Sequence, residues 1–187
     1  MNKNDEDNMS NTNEDLLTIN VHIIKTLEVK STKEVRRMIL FDGYVDCPNF
    51  RGKILPGGVD TQTEYPNKNL YLSARYILEG RDFSGRNCRL FIENNGTINS
   101  KKNSSNNVPN NNRDNTIKDQ NNIKDQNIVE IQNITKNENI EENIEENIVP
   151  TIITDSEELK FLEEEKLVSH IEGTKDGVII HILKKEN

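Results

Sequence analysis

The chain has 187 residues, of which 32% are hydrophobic and 30% charged, and it carries a net charge of −8 at neutral pH. That length suits one domain with tails or a long insertion, and the apolar content is lean for a globule packed from end to end. An acidic chain whose central part offers only one adjacent basic pair, Arg36-Arg37, has no stripe to neutralise phosphates, which argues against nucleic acid and membrane surfaces as partners.

No run approaches the roughly 20 apolar residues of a membrane-spanning helix, and the first residues lack the apolar segment of a signal peptide. The expectation is a cytoplasmic protein in which Cys47 and Cys88 are reduced thiols.

Residues 1–14 read as a disordered acidic tail. Residues 16–29 alternate. Ile19, Val21, Ile23, Leu27 and Val29 share one face, and Asn20, His22, Thr26 and Glu28 the other, as in a half-buried strand. Residues 35–41 give a second strand, apolar on both faces toward its end, which Asp42-Gly43 is expected to close. Residues 50–55 form a third. Pro56-Gly57-Gly58 then fits a type II turn, because Pro fixes φ at the first corner and Gly accepts a positive φ at the second.

Residues 59–63 form a short return strand, and Pro66-Asn67-Lys68-Asn69 is another turn. Leu70, Leu72, Ala74, Tyr76 and Leu78 then alternate with Tyr71, Ser73, Arg75, Ile77 and Glu79. Residues 80–85 read as a loop. Cys88, Leu90 and Ile92 alternate with Arg89, Phe91 and Glu93. Closely spaced strands with turn chemistry between them predict an all-β meander.

Residues 99–149 break this pattern. They are Asn-rich, without Leu, Gly, Met or any aromatic residue. Isolated isoleucines cannot bury enough surface to offset chain ordering, so the stretch reads as a disordered insertion in one domain formed by residues 15–98 and 150–187. A low-complexity interaction tract is the alternative. Thr154 with Glu157, and Asp155 with Glu158, have capping-box spacing and predict a short helix ending near Lys166. A final hairpin sets Leu167, Ser169 and Ile171 against Val178, Ile180 and Ile182, with Asp176-Gly177 in the turn.

The run Gly52, Leu55-Pro56-Gly57-Gly58, Asp60 and Gln62 resembles the bacterial family catalogued as domain of unknown function 3237. The resemblance continues through Ala74-Arg75-Tyr76 and Asn94-Asn95-Gly96, and the end of the chain is similar to the shorter, clostridial-type members. It implies a closed or nearly closed β-barrel, assembled into homo-oligomers and with no agreed activity; with the strands and helix read above, the expected fold is all-β, a single small antiparallel β-barrel with one short helix near the C-terminus. Members often carry Trp after the Asp, where this chain has Thr61.

Asp60, Gln62, Arg75, Tyr76 and Asn94 are the candidate ligand-binding residues. Asp60 follows a glycine-forced turn on the alternation that faces inward. It suits a general base or ligand anchor in a barrel mouth, or, structurally, an acceptor for the backbone N–H groups of residues 56–58. Arg75 and Tyr76 are neighbours on a strand and point to opposite faces. With apolar residues inside, Tyr76 is core and Arg75 is surface; an inverted barrel would bring Arg75 into the cavity to hold an anion. Parity puts His170 and His181 on one face of the last hairpin, facing each other, but two histidines are not a metal site. No phosphate-loop, dinucleotide or serine-hydrolase motif is present, and no cofactor or metal is called for.

Three functions remain open. One is binding of a small organic molecule. Another is an isomerase, lyase or hydrolase that uses Asp60 as general base with Tyr76 or Arg75 as its electrophilic partner. The third is a non-catalytic oligomeric assembly module.

Overall fold

The computed structural model describes residues 15–67, 69–100 and 144–186. Its strands are β1 (Leu17–Lys30), β2 (Val35–Asp46), β3 (Phe50–Ile54), β4 (Val59–Glu64), β5 (Leu70–Asp82), β6 (Asn87–Ser100), β7 (Ile144–Thr154), β8 (Leu167–Gly173) and β9 (Gly177–Lys184). One helical turn, α1 (Phe161–Glu164), lies between β7 and β8. The strands follow in the order β1-β9-β8-β7-β6-β5, then β3 and β4, then β2, which pairs back to β1. All pairings are antiparallel. Both β3 and β4 lie between β2 and β5, at different heights, so nine strands fill eight positions of a closed barrel. Among the described residues, every strand has a partner strand on both sides.

Alternation sets the faces along most strands. Leu72, Ala74, Tyr76 and Leu78 point inward from β5, and Cys88, Leu90, Ile92 and Asn94 from β6. In β1 the expected faces hold only to Ile23. The pairing with β2 steps from Ile23–Phe41 to Lys25–Leu40, leaving Ile24 as a bulge. One extra residue reverses every later side chain. Leu27 and Val29 therefore face solvent, and Glu28 turns inward with Thr26.

Two expected strand ends are absent. Gly43 lies within β2, where its missing side chain lets Asn20 of β1 come close. Gly80 lies within β5, packed directly against Gly52 of β3, with which it is paired. Both glycines serve close backbone approach, not turns. Gly57 is the turn glycine, with φ of 114°.

The barrel interior has two unlike halves. One end is solid core. Leu17, Val45, Phe50, Leu78, Leu90 and Ile182 pack there with Leu159 and Leu162, both fully buried, so the segment around α1 closes that end. The helix is shorter than expected, and its N-cap is Lys160, which makes no side-chain capping bond, so neither Thr154 nor Asp155 caps it. The Ser156 hydroxyl accepts the Leu159 N–H at 3.3 Å and donates to Asp82 at 2.8 Å.

The opposite end is charged. Arg37 Nε donates to Glu28 Oε2 at 2.7 Å, and its Nη2 lies 2.8 Å from Glu64 Oε2, with the guanidinium only 10% exposed. Burial pushes the Glu28 carboxyl up, but hydrogen bonds from Lys30 and Arg37 hold it below the usual range.

Residues 144–149, assigned from sequence to the insertion, belong to β7, and Ile148 is completely buried. The rest of the Asn-rich stretch, from 101 to 143, and the acidic tail lie outside the described residues.

Candidate functional site

Between the solid core and the charged end lies a cavity of about 100 Å³. Its wall is apolar: Val21 and Ile23 from β1, Ile39 and Phe41 from β2, Leu70, Leu72 and Ala74 from β5, and Ile98, Ile171, Val178 and Ile180 from β6, β8 and β9. Three polar side chains interrupt it: Asp60 and Gln62 from β4 and Asn94 from β6. Val21, Phe41 and Val178 also line a depression of about 820 Å³ bordered by residues 56–58 and by the β8–β9 turn, so they separate the cavity from the outside.

The sequence positions Asp60 through local geometry. The Gly57 turn drops β4 into the space above β3, and register sets Asp60 between Ile39 and Ala74, both inward. Its Oδ2 accepts from Gln62 Nε2 at 2.7 Å and its Oδ1 from the Ser73 N–H at 3.2 Å. These donors replace the turn amides expected from sequence. Burial pushes the Asp60 carboxyl above its ordinary value; the Gln62 and Ser73 donors offset part of that shift.

Asn94 is buried and links two more groups. Its Nδ2 donates to the Tyr76 hydroxyl at 3.3 Å, and its Oδ1 accepts from the Ser169 hydroxyl at 3.2 Å. Tyr76 stands edge-on to Phe41, ring centres 5.5 Å apart, and burial pushes its phenol well up. It reaches the cavity through Asn94, since Tyr76 itself is not part of the lining.

Arg75 is not at the site. It faces outward, half exposed, and donates to Glu93 at 2.8 Å. With apolar side chains turned inward, strand parity leaves it no other face. The candidate set therefore divides: Asp60, Gln62 and Asn94 meet at the cavity, Tyr76 stands behind them, and Arg75 is outside. Sequence reading missed Ser169 and the Arg37 cluster. Ser169 had a signal, a lone hydroxyl between Leu167 and Ile171 on an apolar face. The Arg37 cluster had none, because the Ile24 bulge hides the turn of Glu28 toward it.

His170 and His181 do face each other across β8 and β9. His181 Nδ1 lies 2.6 Å from Asp15 Oδ2 and its Nε2 3.5 Å from Glu172 Oε2. Among the described residues, no group of three or more His, Cys, Asp or Glu is placed to hold a metal. Cys47 and Cys88 are buried free thiols. Among the described residues, no helix is long and apolar enough to cross a membrane.

Known proteins share this architecture. A UPF0311 protein of Clostridium acetobutylicum is 35% identical over 86 residues, 44% of this chain and 52% of its own, so the match spans about half of that relative. A crystal structure of a protein of unknown function from the same species superposes with a TM-score of 0.61 at 23% identity, covering 91% of this chain and 94% of the other. A conserved protein of unknown function from Rhodopseudomonas palustris gives 0.62 at 18%, with 91% and 95% covered. A β-barrel-like protein from Acinetobacter baumannii gives 0.58 at 16%, with 91% and 93% covered. At these identities the likeness speaks for the fold alone. Residues 12–184 match the family described as proteins of unknown function, DUF3237, and the chain belongs to that family.

Proposed function

We propose that the barrel binds a small, mainly apolar organic molecule whose one polar end meets Asp60, Gln62 and Asn94. The observation that carries this reading is a carboxylate on the wall of an otherwise apolar cavity. A protein interior normally fills such space, because unfilled volume forfeits contacts and costs stability. Convergent polar groups in an apolar pocket are the usual signature of a ligand site.

Catalysis has less support. The enzymatic reading needs an electrophilic partner beside Asp60, and Arg75 faces outward while Tyr76 lies behind Asn94. The proposal therefore assigns Asp60 to binding. Cytoplasmic residence is part of the same proposal, supported by the two unpaired thiols.

Thermal shift with compounds of about four to six non-hydrogen atoms, a size suited to so small a cavity, is the test. Some should raise the midpoint of the wild type and lose that effect in Ala74→Leu, which fills the cavity. If none does, or if the hits ignore Ala74→Leu, the reading fails.

One observation favours self-assembly as an additional property. Ile77, Phe91 and Ile153 are cross-strand neighbours on the outer face, and Ile77 and Ile153 are 39% and 58% exposed. The proposed occupant of this row is a second copy of the chain, as the family resemblance implies. Ile153→Lys should then shift the mass measured by light scattering toward the monomer; an unchanged mass removes this row from any interface.

A further inference from the structure

We propose that the cavity selects a small primary amine, its ammonium held by Asp60, Gln62 and Asn94 and its short aliphatic body against the apolar wall. This inference rests on the binding reading above and adds the charge and size of the ligand.

Charge is the first ground. Among the described residues, Asp60 is the only charged side chain on the cavity lining. Both its oxygens accept N–H donors, the arrangement of an ionised carboxylate, and among the described residues no cation is paired with it. Arg37, the register neighbour of Gln62, is an inward cation, and it is bound by Glu28 and Glu64. Lys30 Nζ also lies 3.1 Å from Glu28 Oε1, so Arg37 and Lys30 are engaged by carboxylates of their own and are not available to Asp60. The charge on the cavity wall is therefore the negative charge of Asp60. An anionic ligand would meet like charge on desolvated ground; a cationic one supplies the missing partner.

The acceptor set is the second ground. Gln62 gives its amide N–H to Asp60, which turns its Oε1 away as an acceptor. Asn94 Oδ1 takes one hydrogen bond, from Ser169, and has capacity for another. With Asp60, the three polar residues thus offer acceptor oxygens of two kinds, a carboxylate and two amide carbonyls. An ammonium brings three donors and no acceptor, whereas a hydroxyl brings one donor. A buried ammonium is tolerated only when paired and hydrogen-bonded, so such a site discriminates against amines that cannot reach it.

Size is the third ground. A cavity of about 150 Å³ takes up benzene, so one of about 100 Å³ suits a body of four carbons or so.

Three near-isosteres separate the possibilities: isobutylamine, isobutanol and isobutyrate, measured by thermal shift and calorimetry at neutral pH. Wild type should bind the amine about tenfold or more tighter than the alcohol, a difference of about 1.4 kcal/mol, and isobutyrate more weakly than either. Asp60→Asn should erase the advantage of the amine while leaving isobutanol nearly unaffected. Gln62→Met, an independent variant that keeps Asp60, should weaken isobutylamine more than isobutanol. Equal or better binding of isobutanol or isobutyrate, or an amine preference that survives Asp60→Asn, overturns the amine assignment and leaves the binding reading standing. Failure of all three probes to bind wild type, or binding that survives Ala74→Leu, overturns both.

Discussion

Two aspartates show how neighbours decide what a carboxylate does. Asp82 is buried and saturated: the Ser84 hydroxyl donates to it at 2.6 Å, Ser156 at 2.8 Å, and the Ser84 and Arg86 N–H groups at 3.0 and 3.1 Å. The Ser84 bond contributes most, and together with Ser156 and the backbone donors it outweighs desolvation and holds the Asp82 pKa near 2. A folded pKa below the unfolded one of about 3.9 gives stability that is complete above about pH 5 and lost as pH falls toward 2. Urea midpoints measured across that window should fall in wild type and fall less in Asp82→Asn; parallel curves would contradict this role. Asp60 has the opposite sign. Its raised pKa means that the ionised form costs stability, and this cost grows as pH rises through the carboxylate range. Asp60→Asn should keep or raise the ligand-free melting midpoint, by up to about 4 °C, although it removes the proposed ligand contact. A marked fall in the midpoint would make Asp60 a structural residue. Stability given up at one position is the pattern expected of a binding site.

Strand alternation made the faces of β5, β6, β8 and β9 legible in the sequence, and with them Tyr76 as core and the opposition of His170 and His181. Three features were not legible. The Ile24 bulge leaves no mark in the pattern, because Ile23-Ile24 is apolar on either reading. Gly43 and Gly80 look like punctuation but permit contact between backbones. Residues 144–149 resemble the Asn-rich tract in composition, and only pairing with β6 and β8 reveals them as barrel wall. The glycines give a test at this scale. At Gly80 an added methyl meets the Arg51 carbonyl and Gly52, both backbone, so Gly80→Ala should cost about 3 kcal/mol, the upper range of overpacking. At Gly57 the methyl has open space and only the positive φ opposes it, so Gly57→Ala should cost about 1 kcal/mol. Denaturant midpoints of the two variants check the ranking, and equal losses would show that close approach does not govern Gly80.

The whole molecule is a closed wall with unequal ends: a plugged apolar half around Leu159 and Leu162, and a half left hollow beneath the Arg37 cluster. Closure was legible, since strands spaced by turns leave few other ways to cover their edges. The hollow was not, because it depends on how far side chains such as Ala74 and Ile98 fall short of one another across the interior. The direct measurement is a backbone amide NMR titration of the wild type with isobutylamine. Saturable shifts should concentrate at Asp60, Gln62, Ser73, Ala74 and Asn94, while Leu17, Val45 and Leu90 in the plugged half stay fixed. Shifts confined to outward-facing residues such as Arg75 and Glu93, or no saturable shift at all, would contradict a ligand chamber inside this barrel.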